Sequence, residues 1–563
     1  MLTESSSRTP QGGLSHVQGH TDTPLVDTTV HELLAAAVHR WPEHEAAVFV
    51  EQGVRWRWSE LYEQVEHAAA GLAQLGVRCG DRVGIWSPNR AEWLVTQFAT
   101  ARLGAILVNI NPAYRLAELE FALNKAGVSV LVTAAASKHG NYLGMLQNLG
   151  VGAAGCGPRL PLLETVVRLG DEATAGMLNW GALLTSGAEH CAALPPPGTL
   201  GCHDAINIQF TSGTTGTPKG ATLTHHNIVN NARAVAHCMR LCEADVLCIP
   251  VPLYHCFGMV LAVLAAVASG TKMVFPGEAF DARATLAAVE AERCTALHGV
   301  PTMFIAELDH PEFARFKLSS LRTGIMAGAP CPVTVMQRVQ GEMHMREVTI
   351  AYGMTETSPV SFQSATDDPL DKRVATVGRV LPHLEVKIVD LDGRTVAVGE
   401  RGELCTRGYS VMQGYWDDAE RTRESVQGGW MHTGDLATLD AEGYCSIVGR
   451  VKDMVIRGGE NIYPREVEEF LFGHPKVAAV QVFGVPDARW GEALCAWIIT
   501  KAGQACTEDE IREYCRERIA RYKVPYYIRF VDELPVTVTG KPQKFLMREA
   551  MMRELGLVAA ADA

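Results

Sequence analysis

The sequence predicts an α/β protein: a large part in which apolar strands alternate with helices, then a small α+β unit. Three observations carry that prediction. Short apolar runs recur at Arg82 to Trp86, Ala105 to Ile110 and Val128 to Thr133, separated by segments of helical length and pattern. Strands alternating with helices imply a mostly parallel sheet covered on both faces. The pattern changes near residue 450, and 563 residues are too many for one domain and ample for a large core.

Taken in order, Val54-Arg55-Trp56-Arg57-Trp58 alternates as a strand does. Ser59 is placed to cap a helix whose apolar positions Leu61, Val65, Leu72 and Leu75 share one face, and Gly76 ends it. From about residue 150 to 201 Gly, Ala and Pro dominate, including Pro195-Pro196-Pro197, which reads as a long surface excursion. Strand and helix signals then resume to about Gly449. The most apolar segment, Phe257 to Ala268, is shorter than the ~20 residues that cross a bilayer and reads as a buried helix. Beyond the change of pattern, Pro464 opens a helix and strands follow at Val477 to Phe483 and Leu494 to Thr500. Thr507-x-x-Glu510 forms a capping box, and Tyr526 to Val531 is a further strand. The organisation expected is a flexible tail over 1–24, a large domain over 25–450, a polar hinge at 451–453 and a C-terminal domain over 454–563, with no internal repeat.

Composition bounds the function. Apolar residues make up 47% and charged residues 20%, the balance of a globular enzyme. The formal net charge of −13 repels nucleic acid and anionic membrane over most of the surface. A site for an anionic nucleotide must then be a local concentration of Lys, Arg and backbone N–H groups. The 15 cysteines are scattered; Cys238 and Cys242 are the closest pair, and no second pair completes a zinc site. Reduced thiols and a cytoplasmic location are expected. Residues 1–24 lack a basic start followed by an apolar run, so they do not read as a secretory signal.

The strongest local signal is Thr211-Ser212-Gly213-Thr214-Thr215-Gly216-Thr217-Pro218-Lys219-Gly220, directly after the apolar run Ile206 to Phe210. Small residues let backbone fold around phosphate oxygens, hydroxyls and N–H groups donate to them, and Lys219 adds charge. It is not a Walker A loop, because Pro218 and Gly220 flank the lysine. Further motifs follow in order: Tyr352-Gly353-Met354-Thr355-Glu356-Thr357, His432-Thr433-Gly434-Asp435, Gly449-Arg450-Val451-Lys452-Asp453 running into Gly458-Gly459-Glu460-Asn461, and Pro535 to Lys541.

This series resembles the signature of the adenylate-forming (AMP-binding) superfamily, which includes acyl-CoA synthetases, luciferases and peptide-synthetase adenylation domains. The resemblance runs from about Thr28 to Arg548. It implies a large N-terminal AMP-binding domain of mostly parallel sheets with a β-barrel-like part, and a small mobile C-terminal domain. It implies ATP, Mg2+ and coenzyme A as cofactor and cosubstrates. A carboxylate attacks the α-phosphate of ATP, pyrophosphate leaves, and positioned cations neutralise its charge. On the matching positions, Thr211, Ser212, Gly213, Thr214, Thr215, Gly216 and Lys219 would hold phosphates, and Thr355 the α-phosphate. Thr215 and Glu356 would contact magnesium. Tyr352 would stack on adenine, with Gly353 beside it in the nucleotide site, and Gly328, Ala329 and Pro330 would read the base edge. Asp435 and Arg450 would grip the ribose hydroxyls. Lys541 would bridge the incoming carboxylate and the α-phosphate. Because the thiol must then reach the same carbonyl, Lys541 must leave, and the family rotates its C-terminal domain about a hinge, here Lys452. Gly458, Gly459 and Glu460 would shape the tunnel for the CoA arm.

Pro252-Leu253-Tyr254-His255-Cys256-Phe257-Gly258 matches the family's gate segment, with His255 near the reacting carboxylate. No Asp stands there to pair with an amino group, which favours a neutral acid. Met259, Val300 and the segment His298 to Met303 would line the acyl pocket. Ser87-Pro88-Asn89, Asn109 to Arg115 and His225-His226-Asn227 are most similar to medium-chain acyl-CoA synthetases of the family-member-two type. Aryl and short branched acids stay open. An acyl-AMP ligase that delivers to a carrier protein is the alternative enzyme, although Gly458 to Asn461 favours a pantetheine thiol. A non-catalytic nucleotide sensor would be expected to lack Lys541 or Glu356. The partners expected are a small-molecule carboxylic acid, ATP and CoA, with no nucleic acid and no membrane span; a homodimer is left open.

Overall fold

The computed structural model describes residues 8–557 apart from 139, 154, 195, 197, 212–217, 330, 458–459, 517 and 538–541. The chain divides into two compact units. The first takes in Gln18–Glu385 and Thr406–Met431, and the second Thr9–Val17, Val386–Cys405 and His432–Ala563.

The first unit carries two large sheets. One has eight strands among the described residues, in the order Leu178–Asn179, Thr165–Arg168, Val130–Thr133, Arg82–Trp86, Ile106–Asn109, Ala205–Thr211, Lys219–Thr224 and Gly414–Tyr415. The first six run parallel and the last two join antiparallel. The other has nine, in the order Arg379–Val380, Val360–Gln363, Glu347–Gly353, Thr323–Ala327, Ala296–Leu297, Val246–Cys248, Lys272–Phe275, Glu45–Phe49 and Val54–Arg57. Its six middle strands are parallel, with antiparallel strands at both edges. The α/β class expected from the alternating runs is therefore what the chain adopts. Strands such as Ile106–Asn109 and Val130–Thr133 are buried throughout, as parallel strands covered on both faces must be.

Phe257–Leu264 continues into Ala265–Ser269, and the side chains from Phe257 to Val267 are all buried, as expected for this segment. Its first part is wound as a π-helix, a form that concentrates at functional sites. No helix among the described residues is long and apolar enough to cross a membrane.

Three local expectations need correction. The helix after the first alternating strand spans Trp58–Gln74, so its N-cap is Arg57 rather than Ser59; the Arg57 N–H donates to the Glu60 carboxylate at 2.7 Å. Residues 150–201 are not a plain excursion. Thr165–Arg168 extends the eight-stranded sheet, and Trp180–His190 is a helix packed on Trp58–Gln74. Its glycine marks close packing rather than a loop. A Cβ on Gly187 would stand 1.8 Å from the His67 carbonyl oxygen, so only glycine lets these helices approach so closely. Within the stretch read as a tail, His16–Gln18 is a strand rather than flexible chain. Ser15 and Val17 are buried, and the Ser15 hydroxyl donates to the Ala397 carbonyl at 2.9 Å.

The second unit contains most of a curled six-stranded sheet, half a barrel, whose strands include Leu384–Val389, Gly402–Gly408, Trp430–Leu439 and Cys445–Arg450. It also contains the expected α+β part. Here Val455–Arg457, Glu460–Ile462, Val477–Asp487, Gly491–Thr500 and Tyr527–Phe530 form one sheet, with helices Pro464–Phe472, Glu508–Cys515 and Lys544–Glu554. Pro464 occupies the first helical turn and Thr507 and Glu510 close a capping box, both as the sequence predicts. Val455, Ile462, Val467, Leu471, Val482 and Ile498 lie in its core.

Candidate active site

In the nine-stranded sheet four neighbouring parallel strands end beside one another: Glu347–Gly353, Thr323–Ala327, Ala296–Leu297 and Val246–Cys248. Their carboxyl ends lead into Thr355 and Glu356, Gly328 and Ala329, Val300, and the segment carrying His255. Ligands of open α/β sheets bind outside such strand ends. Residues that stand far apart in the sequence are thus gathered at one edge by topology alone.

Glu356 lies in a short turn, Thr355–Thr357, and is only 5% exposed. One carboxylate oxygen, Oε1, accepts from the Tyr415 hydroxyl at 2.9 Å and from the Thr211 hydroxyl at 3.4 Å. Both donors belong to the eight-stranded sheet, so Glu356 stands where the two sheets of the first unit meet. Burial, and then the Glu356 charge, push the Tyr415 phenol well above its ordinary value, so it stays a donor. Lys219 places its ammonium 4.8 Å from the centre of the same Tyr415 ring. The set around Glu356 is a carboxylate and two hydroxyls, all hard oxygen donors, which suits magnesium rather than a soft metal.

Thr355 is buried, and its hydroxyl is 3.8 Å from the Cys256 sulfur. That sulfur is 3.6 Å from Nδ1 of His255, so the gate segment and the Thr355 turn touch through Cys256. Nδ1 of His255 also accepts from the Phe257 N–H at 3.1 Å, which places the proton of the neutral ring on Nε2. Tyr352 pairs across the strands with Phe362, ring centres 6.2 Å apart. Gly353 admits no side chain, since a Cβ would lie 1.7 Å from the Pro359 carbonyl oxygen. Gly328 takes φ +87° in the left-handed region, and Val300 packs against it.

Met259 is 1% exposed, and its backbone N–H donates to the His255 carbonyl at 3.0 Å. Its sulfur receives the amide N–H groups of Asn109 and Gln209, each at 3.2 Å. Gln209 donates to Asn207 at 2.8 Å, and Asn207 donates to Asn109 at 3.0 Å, a buried amide chain behind the gate. The structure therefore joins Met259 to His255 and places Val300 at Gly328.

In the second unit Asp435 and Arg450 face each other across paired strands, Arg450 Nε donating to Asp435 Oδ1 at 2.9 Å. The turn before Asp435 is fixed by Glu403, which accepts from the Gly434 N–H at 3.0 Å and bonds His432 Nδ1 at 2.8 Å. The Thr433 hydroxyl donates to the Leu404 carbonyl at 2.7 Å. Lys452 is exposed in the turn Val451–Asp453, and Glu460 pairs with Arg457. Ser212, Gly213, Thr214, Thr215, Gly216, Pro330, Gly458, Gly459 and Lys541 lie outside the described residues.

Sequence reasoning missed Tyr415 and Glu403, and it named Cys256 only as part of the gate segment, without its contact to Thr355. It also missed the amide chain, which had a signal: Asn207 and Gln209 alternate inside an otherwise apolar strand, putting two polar side chains on one buried face.

Two buried histidines give the first unit an acid-sensitive fold. His298 Nε2 donates to the Leu261 carbonyl and Nδ1 accepts from the Ile325 N–H, both at 3.2 Å, which requires the neutral ring. Burial pulls its pKa down to about 4 and does the same to His225. The unfolded chain therefore takes up these protons first as pH falls from 6.5 to about 4, and stability falls with it. Each histidine contributes a loss on the order of 3 kcal/mol across that window. Thermal melts from pH 7 to 4 should show Tm dropping, less steeply in His298→Gln; a flat profile would contradict this.

Residues 34–416 match the AMP-binding enzyme family and residues 466–541 match the AMP-binding enzyme C-terminal domain. The chain is 47% identical to the medium-chain acyl-CoA ligase ACSF2, mitochondrial, of Danio rerio, over 96% of this chain and 91% of that one. It is 45% identical to the putative acyl-CoA synthetase YngI of Bacillus subtilis, over 95% and 99%. Among solved structures it is similar to the anthranilate CoA ligase AuaEII in complex with anthranoyl-AMP, with TM-score 0.84, 28% identity and coverage of 95% and 99%. ATP-bound MatB from Rhodopseudomonas palustris gives TM-score 0.81, 29% identity and coverage of 94% and 100%. With strand-end motifs in this order and both matched segments in place, the chain belongs to the AMP-binding enzyme family.

Proposed function

We propose that this protein is an ATP-dependent acid–CoA ligase that converts a medium-chain fatty acid to its acyl-CoA through an acyl-AMP intermediate, releasing AMP and pyrophosphate. The observation that carries the reading is the convergence of Glu356, Thr355 and the His255 segment at neighbouring strand ends, with Thr211 of the phosphate-loop strand bonded to Glu356. The names of the curated relatives supply the acyl-CoA chemistry and the chain-length class.

In the first half-reaction the acid's carboxylate attacks the α-phosphate and pyrophosphate leaves. Glu356 and Thr215 are assigned to hold magnesium, which when bound supplies charge neutralisation for the phosphates. Thr211 to Gly216 and Lys219 hold the phosphate chain, and Thr355 donates to the α-phosphate. Tyr352 and Gly328 to Pro330 take the adenine, and Asp435 and Arg450 the ribose hydroxyls. Lys541 stabilises the charge that builds between carboxylate and α-phosphate. In the second half-reaction the CoA sulfur bonds the acyl carbon, the bond to AMP breaks, and the thiol proton passes to solvent. Rotation at Lys452 removes Lys541 and brings Gly458, Gly459 and Glu460 to the CoA arm. The fifteen free cysteines suit a reducing compartment, and a cytoplasmic location is our reading, although the animal relatives are named mitochondrial.

A panel of acids from acetate to palmitate, with benzoate, tests the substrate. The expected optimum is roughly six to ten carbons, the medium-chain class for which the ACSF2 relatives are named. A maximum at benzoate or at a short branched acid would move the assignment to that class.

A further inference from the structure

We propose that Asp27, Cys202, His203 and His226 form a binding site for a divalent transition-metal ion of the zinc class, apart from the residues assigned to the ligase reaction. Cys202 and His203 immediately precede strand Ala205–Thr211, and His226 lies in the first turn of helix His225–Cys238, directly after strand Lys219–Thr224. The two strands pair antiparallel with Ala205 opposite Thr224, so the far end of the phosphate-loop hairpin brings these ligands together. Asp27 arrives from the N-terminal segment, which is tied to the same helix. The Val26 N–H donates to Asn230 Oδ1, and Asn230 Nδ2 donates to the Val26 carbonyl, each at 2.9 Å.

Three of the ligand atoms converge, those of Asp27, His203 and His226, and Cys202 joins them through Asp27. Asp27 Oδ1 is 3.7 Å from His226 Nε2 and 3.7 Å from Cys202 Sγ. Ligand atoms of Asp27, His203 and His226 lie within 4.8 Å of one another, and the two histidine rings have centres 4.6 Å apart. A carboxylate, a thiol and two imidazoles form a donor set that zinc binds tetrahedrally, with bonds of about 2.0–2.3 Å. Such bonds hold neighbouring ligand atoms roughly 3.3–3.8 Å apart. The 3.7 Å between His226 and Asp27 fits that spacing and is too long for a direct hydrogen bond.

Asp27 and His203 are exposed while Cys202 and His226 are half-buried, so an ion has access from solvent. A second cluster, Glu403, Cys405 and His432, is different: its carboxylate and imidazole are already bonded at 2.8 Å, and burial pushes its thiol up to about 12. At the hairpin, an ion would tie the N-terminal segment to both strands, so the effect expected is on stability.

The test is a titration of the untagged full chain, stripped with a chelator, with Co2+ and then Zn2+. One equivalent of Co2+ should bind with a tetrahedral visible spectrum and a sulfur-to-cobalt charge-transfer band, and Zn2+ should displace it. Cys202→Ser should remove the charge-transfer band, and His203→Ala should weaken binding by at least ~10-fold. Zn2+ should raise the Tm of the parent but of neither variant. His203 is at the surface, so His203→Ala carries the comparison even if Cys202→Ser does not fold. Identical titrations of parent and variants, or a band lost only in Cys405→Ser, would overturn the assignment.

Discussion

Lys541→Ala is expected to slow acyl-adenylate formation roughly 10²- to 10³-fold while leaving thioester formation from supplied acyl-adenylate largely intact. The reasoning is electrostatic. Two anions meet in the first half-reaction, and a lysine bridging them stabilises the transition state more than the separated ground state. In the second half-reaction the nucleophile is a thiol that must reach the same carbonyl, so the lysine has to leave that position and has no comparable role. The chain on either side of it is pinned: Val536 pairs with Pro542, and the Gln543 N–H donates to the Pro535 carbonyl at 2.8 Å. Removing the side chain therefore removes a charge and leaves these flanking bonds in place. Acid-dependent exchange of pyrophosphate into ATP reads the first step, and CoA consumption with synthetic acyl-adenylate reads the second. Equal loss in both would sink the assignment of Lys541.

Glu356→Gln is expected to lower kcat/KM by roughly 10²- to 10³-fold and to raise the magnesium concentration needed for half-maximal rate. Glutamine keeps the shape and one accepting oxygen, so the hydroxyls of Tyr415 and Thr211 keep their acceptor and the turn at Thr355–Thr357 should stand. What is lost is the negative charge that a hard cation requires. Unchanged Tm with a shifted magnesium response is the expected pair of results. An unchanged magnesium response, with activity lost, would reduce Glu356 to a structural acceptor.

The alternation of strands and helices was legible because buried parallel strands must be near-continuous apolar runs, as Val83 to Trp86 is. The motif residues could be picked out as candidates because each group is contiguous in the chain: Thr355 with Glu356, His432 with Asp435. Partners brought by folding were not. Tyr415 is 59 residues from Glu356 and 7% exposed, and nothing in Gly414-Tyr415 announces the contact. The zinc-class cluster was hidden for the same reason, since its ligands come from positions 27, 202, 203 and 226 with no spacing pattern. Residues 150–201 misled because glycine at a close helix crossing, as at Gly187, has the same composition as glycine in a loop.

Two-step ligation through acyl-AMP to CoA is read out by product stoichiometry, with octanoate as the acid. With ATP, magnesium and CoA, AMP, pyrophosphate and octanoyl-CoA are expected in equal amounts, and without CoA no more than about one equivalent of bound acyl-AMP per enzyme. Release of ADP, or pyrophosphate formed continuously with no acyl-CoA, would contradict it.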